Sequence, residues 1–528
     1  MANGATETPV REATAYWQRL FRPDTGIFLV LWLILMVGGR QRLLRDPGCF
    51  WHTHLGLLVL DNGQLIHGDP FSFTAGPTPA GQAWIPHQWL GESLMGVAHK
   101  LGEWDALLLL TVTILAGLYT FVAHRLICSG LHWSLAGSVM ILAFAAGSSH
   151  FHARPHLSTM VFFAVTFAWL ADFEAGRKSL RSLVWLVPMY ALWSNLHGGM
   201  LGGLVTMGLA LAGWTAAKVI GWESPLRCWR QAFMFGLLIA ACGSTAFINP
   251  YGWRLPAEWL NIMGQTHLTQ IIVEHAPLNP TQGDGIMVLT LAAVYLVVLV
   301  AACTRQRPRI TWLLPLVWLY LACTRIRHAS LFGIAAGLAV AEIFPETAWA
   351  GAIARSGSDL FDAGRGKAAR SPGLAPFLLP GILVASVLGL QMAGVNTPVV
   401  GAGWAMPDPE SCPLELTERL GQQPDGTRIF NELNFGGYLI CFAPKVRVFS
   451  DDRCELYGEE FLLTYDAAQR DPQRIPSYLA QFDFDLALTR NGSYFDQYFR
   501  DPKHGWVLVG QPTETATLFE RSSAAALR

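Results

Sequence analysis

Apolar runs long enough to cross a bilayer recur along this chain, and nothing else in the sequence limits its fold as strongly. A helix needs about 20 mostly apolar residues to span the hydrocarbon core. Eleven segments are expected to do so: 24–41, 104–127, 132–149, 156–173, 182–197, 199–219, 230–248, 285–303, 309–324, 328–345 and 375–395. Of these, 182–197 and 309–324 are short and leave little room for tilt. The chain is 52% hydrophobic and 14% charged, where soluble domains carry about 25% charged residues. The expected fold class is therefore mostly α, a polytopic transmembrane bundle. A formal net charge of −1 and the lack of a basic tract argue against a nucleic-acid partner. The polar first 23 residues, with no small-residue cleavage site after the run that follows, make that run an expected uncleaved anchor. Transport is the least favoured class, because no charge pair sits mid-span and no internal repeat is visible.

Lysine and arginine in short loops set the expected orientation. With residues 1–23 cytoplasmic, the inner loops hold Arg177, Lys178 and Arg181, then Lys218, Arg227 and Arg230. Arg305, Arg307 and Arg309 follow, and then Arg355, Arg365, Lys367 and Arg370. Arg40, Arg42 and Arg45 oppose the bias and are outvoted. This orientation places twelve of the fifteen histidines on the outer side, among them His99, His267, His275 and His328. Ionisable groups near a membrane are costly and mark function, so chemistry is expected on the outer face.

The loop 42–103 concentrates such groups. Between Asp46 and Glu92 it holds Asp46, Asp61 and Asp69, with His52, His54, His67 and His87 and three tryptophans. Asp46 is the leading candidate for a catalytic base, since partial desolvation at the end of a span raises a carboxylate pKa toward neutrality. Asp46-Pro47-Gly48 would equally suffice for a turn, as would Asp69-Pro70. Glu92 can instead cap or pair within its helix. His52, Asp69, His87 and Glu92 are candidate substrate-binding residues.

Further motifs stand at the outer ends of spans: SHFHARPHLST at 149–159, WSNLHGG at 193–199, INPYGWR at 248–254, IIVEHAP at 271–277 and TRIRH at 324–328. They are expected to converge under the first loop. Arg154, Arg325 and Arg327 suit a phosphate, with snorkelling to the interface as the plainer role. His150, His152 and His156 match no compact zinc signature, and interfacial hydrogen bonding is the plainer role for them; no metal ligand is assigned. Asn195 and His197 stand beside Gly198-Gly199, which either admits a ligand or lets helices pack. The nine cysteines show no CxxC spacing, and a disulfide among Cys412, Cys441 and Cys454 requires export of that part.

The expected organisation is a cytoplasmic segment 1–23, a transmembrane domain 24–345 and a flexible cytoplasmic linker 346–374. A last span at 375–395 leads to a soluble periplasmic domain at 396–528. There, strand-like and helix-like runs alternate, which argues for a small α/β domain with a largely parallel sheet. Asp451-Asp452-Arg453 follows an expected strand; it has the look of a metal-binding acid pair for nucleotide sugars, which an exported domain would not meet, and a strand-end turn is its plainer role.

Taken together, these motifs resemble a known family. An acid and Trp51-His52 follow the first span, then come DPFSFT, W-x-x-H-x-WL-x-E, ARPH, W-x-NLHGG and NPYG. This order resembles the bacterial polytopic membrane proteins related to the GT-C glycosyltransferases. The run RIFNELNFGGYLI…VRVFSDDRCELYGEE is similar to the terminal domain of one largely uncharacterised branch. The resemblance implies a transferase that moves a sugar from a polyprenyl-phosphate carrier to a glycan, lipid or protein acceptor on the outer face of the inner membrane. It implies Asp46 as the catalytic acid position, with Arg154, Arg325 and Arg327 as candidates by position for the lipid phosphate; His156, Asn195 and His197 are candidate substrate-binding residues from their own motifs. Membrane lipids are expected partners, and no cofactor is assigned beyond a possible divalent cation. Many active members carry two adjacent acids where Pro47 follows Asp46 here. That departure keeps open a non-catalytic lipid-linked-glycan binding or assembly role, and the histidines keep open a metal-dependent outer-face enzyme.

Overall fold

A computed structural model describes residues 22–75, 84–264, 273–364 and 375–522. The chain begins with α1 (Pro23–Arg42), α2 (Gly48–Asn62), α3 (Trp89–Cys128), α4 (Trp133–Gly147) and α5 (Leu157–Glu174). It continues with α6 (Leu186–Leu196), α7 (Met200–Val219), α8 (Trp229–Ser244), α9 (Arg254–Gly264) and α10 (Gly283–Cys303). The bundle closes with α11 (Ile310–Thr324), α12 (Ala329–Ile343), α13 (Ala348–Ser356) and α14 (Ala375–Met392). Among the described residues, seven helices are long and apolar enough to cross a membrane: Pro23–Arg42, Trp89–Cys128, Leu157–Glu174, Met200–Val219, Trp229–Phe247, Gly283–Cys303 and Ile326–Glu346. The chain is a multi-pass membrane protein. The other four expected spans coincide with the shorter helices α4, α6, α11 and α14.

Helix α3 covers 40 residues because two limbs meet at a kink, where Gly102 and Glu103 leave helical geometry and Glu103 takes φ 52°. The first limb belongs to the polar loop and the second to the bundle. Beside the kink, Asp105 accepts from Gly403 and Ala405 N–H at 2.8 and 2.7 Å, pinning the chain that leaves α14. Helices α2 and α3 cross at Gly56 and Gly96, where a Cβ on Gly56 would overlap the Glu92 carbonyl. At the opposite end of the bundle, Arg125 bonds Asp172 and Glu342, and Arg177 bonds the same pair, tying α3, α5 and α12.

The segment 346–364, expected within a flexible linker, carries α13, capped by the Thr347 hydroxyl at its start. Residues 365–374, with Arg365, Lys367 and Arg370, and His267 lie outside the described residues.

The C-terminal part is an α/β domain on a five-stranded sheet: β1 (Arg428–Asn431), β2 (Arg447–Val448), β3 (Leu486–Arg490), β4 (Trp506–Leu508) and β5 (Ala516–Arg521), in the order β2-β1-β3-β5-β4. It is mixed rather than largely parallel. β1 runs parallel to β2 and β3, while β5 runs antiparallel to β3 and β4. The chain between β4 and β5 is too short for the crossover of a dozen or more residues that parallel strands need. The first loop completes the sheet at its β2 edge: Ser72 bridges Val448, Val448 N–H donates to Phe71 O at 3.0 Å, and Phe73 N–H donates to Val448 O at 3.1 Å. An open edge is thereby covered, and the domain is seated on the bundle.

Candidate functional site

The turn between α1 and α2 is the floor of the site. Asp46 Oδ1 accepts from Gly48 N–H at 2.8 Å, so the turn expected from Asp-Pro-Gly does form. The same carboxylate pairs with Arg154, whose Nη1 reaches Oδ1 and Oδ2 at 3.1 and 3.2 Å. A Cβ on Gly48 would stand 2.8 Å from Arg154 Nε, so glycine lets the guanidinium pass over the turn. Arg154 is held there because its loop is stitched to the end of α1, Ala153 N–H donating to Leu43 O at 2.9 Å.

Two more carboxylates face Arg154. Glu274 Oε1 lies 4.0 Å from its Nη1 and 3.5 Å from His150 Nδ1. Burial works against the Glu274 charge, but His150, Arg154 and Arg327 hold its carboxyl far below the usual range. Asp452 comes from the loop after β2, with Oδ2 at 3.9 Å from Arg154 Nη2. Its Oδ1 accepts from Trp51 Nε1 at 2.7 Å. Burial, aided by the negative charges of Asp46 and Asp451, outweighs the pull of Arg154 and pushes the Asp452 carboxyl up to about 7. Arg154 meets the opposite condition: burial opposes its charge, and the three carboxylates keep it protonated.

Next to Glu274, Arg327 Nη1 meets His275 Nε2 at 2.6 Å. Arg325 is half-buried on the same turn, its side chain with no hydrogen bond or ion pair among the described residues. The TRIRH and IIVEHAP motifs come together through Ile326 N–H donating to Ala276 O at 2.9 Å.

Asp452 is positioned by its neighbours. Arg453 is fully buried and donates to Asp451 through Nε (2.8 Å) and Nη2 (2.6 Å), and to Asp69 through Nη1 (2.7 Å). The Tyr457 hydroxyl adds a bond to Asp451 at 2.7 Å. Rings of Trp84, Phe71 and Trp51 surround the guanidinium at 4.9, 5.1 and 5.8 Å. Asp69 thus anchors the first loop to the C-terminal domain, and also caps Phe71 and Ser72 N–H.

The remaining candidates divide by their bonds. His52 Nδ1 and Glu92 Oε1 form a buried pair at 3.0 Å, and burial holds the His52 imidazole well below its usual pKa. His87 is 3.8 Å from Glu455, which also accepts from Trp84 Nε1 at 3.4 Å. His156 Nε2 donates to His150 O at 2.7 Å. His197 Nδ1 accepts from Gly199 N–H at 2.8 Å. Asn195 accepts from Trp89 Nε1 and donates to the Ala191 and Ile248 carbonyls, so its amide is spent joining helices. Buried ring nitrogens of His52, His87, His150, His152 and His275, with Glu92 Oε2, have no hydrogen-bond partner among the described residues.

Asp46, His152 and Glu274 bring one donor atom each within 4.8 Å of one another, a set a divalent cation could use. The fit is poor, because both Asp46 oxygens already bond Arg154. The HxHxxxH triplet is not such a set, since His156 spends Nε2 on a carbonyl. All nine cysteines are thiols.

A lateral apolar groove of about 210 Å³ lies between α7, α8 and α9, lined by Met200, Leu204, Ala246, Phe247, Trp259 and Leu260. It adjoins the WSNLHGG motif, since a Cβ on Gly198 would touch Trp259 at 2.8 Å.

Sequence reasoning missed Asp452, Arg453 and Glu455 as parts of this mouth. The available signal was three charged residues in a row between apolar runs, in a chain whose Arg154 needed carboxylates.

No family model matches the chain, and no curated protein matches it. Among solved structures, the crystal structure of ArnT from Cupriavidus metallidurans bound to undecaprenyl phosphate is similar over 95% of this chain and 98% of that chain. Identity is 14% and the TM-score 0.48, too low for that protein's properties to carry over.

Proposed function

We propose that the chain is a membrane glycosyltransferase that moves a sugar from a polyprenyl-phosphate carrier to an acceptor hydroxyl at this mouth. One observation carries the reading. Arg154 from one loop stands with the carboxylates Asp46 and Asp452, and Glu274 links it to a second loop that carries both Arg325 and Arg327. Arginine clamps suit a leaving lipid phosphate, whose charge grows in the transition state. A carboxylate beside them takes the proton of the acceptor hydroxyl, and Asp46 is the position the family resemblance implies. The lateral groove offers an apolar path for a prenyl chain. His52 and Glu92 support the Trp51 wall, and His87 with Glu455 faces the acceptor. The charge bias of the loops supports placing the mouth on the outer face.

The test is transfer by the purified full chain with undecaprenyl-phosphate sugars. An Arg154→Ala variant is expected to lose transfer and lipid-phosphate binding together, and wild-type transfer by that variant would remove the reading. A metal-dependent enzyme is the second reading, which the set Asp46, His152 and Glu274 allows only if Arg154 releases the Asp46 oxygens. Stoichiometric zinc or manganese in the purified protein would select it.

A further inference from the structure

We infer that Asp452, delivered by the C-terminal domain, is the carboxylate that accepts the acceptor proton, and that Asp46 is the positioning residue that holds Arg154 beside it. This rests on the transferase reading above.

The two carboxylates differ in what their oxygens already do. Asp46 Oδ1 takes the Gly48 N–H and Arg154, and Oδ2 takes Arg154 as well, so both its oxygens are committed. Asp452 spends Oδ1 on the Trp51 indole, while Oδ2 has no hydrogen bond among the described residues and stands 3.9 Å from Arg154. A base needs a free lone pair within reach of the proton it takes, and of these two carboxylates Asp452 has the oxygen next to the guanidinium that no hydrogen bond occupies.

Its placement is over-determined. On either side of it, Asp451 and Arg453 close the buried clamp to Asp69, and Tyr457 closes the Asp451 end. Burial among like charges also gives Asp452 a basicity matched to neutral pH. The groups facing it are Arg154, Asp46 and Cys49 from the bundle and Asp451 and Cys454 from its own loop.

In the step, the acceptor oxygen forms a bond to the anomeric carbon. The bond from that carbon to the phosphate oxygen breaks, and its electron pair leaves on the lipid phosphate beside the arginines. The hydroxyl proton goes to Asp452 Oδ2. Charge is balanced, and no further reactant is needed.

The experiment uses the full chain in lipid nanodiscs with undecaprenyl-phosphate glucose, galactose and N-acetylglucosamine, water serving as acceptor, and reads free sugar and lipid binding. Asp452→Asn is expected to lower release by roughly 100-fold or more, the usual worth of a general base, with lipid binding kept. Asp452→Glu should restore part of it. Asp46→Asn is expected to weaken lipid binding while keeping the wild-type pH profile. A parallel readout needs no turnover: carbodiimide with glycine ethyl ester should label Asp452 near pH 7, and undecaprenyl phosphate should protect it. Wild-type release by Asp452→Asn with an unchanged pH profile, or Asp452 that labels only in acid, overturns the inference and leaves the transferase reading standing. A wild-type protein that binds the lipid but releases none of the three sugars overturns the transferase reading itself.

Discussion

Arg453 of the C-terminal domain meets Asp69 of the first loop at 2.7 Å, and both belong to a buried clamp that also includes Asp451. Through it the two stretches that carry Asp452 and Asp46 are fixed to each other. The domain is thereby a wall of the mouth and not an appendage.

Replacing Arg453 by Met leaves Asp451 and Asp69 without their shared partner. Breaking a buried pair from one side costs about 3–5 kcal/mol. The expected result is a lower melting temperature and new protease cleavage between the bundle and residue 428. Unchanged melting and protection would mean that the clamp does not seat the domain.

Acid should loosen the same contact. Burial alone would raise the Asp69 pKa, but Arg453 and the Ser72 hydroxyl outweigh it and hold the carboxyl below its usual value. A lowered folded-state value gives stability that is full above the unfolded pKa of about 3.9 and is lost as pH falls through the lowered one. Melting measured from pH 6 down to pH 3 should therefore fall for the wild type, and less steeply for Asp69→Asn. Parallel slopes would contradict this account.

The α2–α3 crossing depends on glycine. An alanine at Gly56 must push the Glu92 carbonyl away and so disturb the His52–Glu92 pair. Overpacking of this kind costs about 1–3 kcal/mol. Gly56→Ala should melt earlier, whereas Gly117→Ala, where nothing lies within 4 Å of the added carbon, should not.

The Arg325 side chain has no hydrogen bond or ion pair to lose among the described residues, so its truncation isolates ligand binding from folding. A hydrogen bond to a charged group is worth about 1.5–3 kcal/mol, roughly tenfold or more in affinity. Arg325→Ala should weaken undecaprenyl-phosphate binding by that factor at unchanged melting temperature. Equal affinity would remove Arg325 from the phosphate site.

Much of the bundle was legible because apolar length is a local property, and all eleven expected segments coincide with helices. Arg154 and Asp46 were legible because each stands at the end of a span, where a charge needs a reason. The role of Asp452 was not. Its neighbours in sequence satisfy a strand-end turn, and its partners Trp51 and Arg154 lie some 400 and 300 residues away. Asp69 shows the converse: Asp-Pro reads as a turn, it does cap that turn, and its longer-range bond to Arg453 has no local signature. The sheet was read as largely parallel because alternation of strand and helix breaks down only at the short β4–β5 connection.

The most direct test of the account is a density map of the full chain with bound undecaprenyl phosphate. The account predicts the phosphate within about 2.7–2.9 Å of arginine nitrogens from Arg154 and one of Arg325 or Arg327, with Asp452 Oδ2 open across the same mouth. Phosphate bound elsewhere, with Arg154 still closed on Asp46 and Asp452, would contradict it.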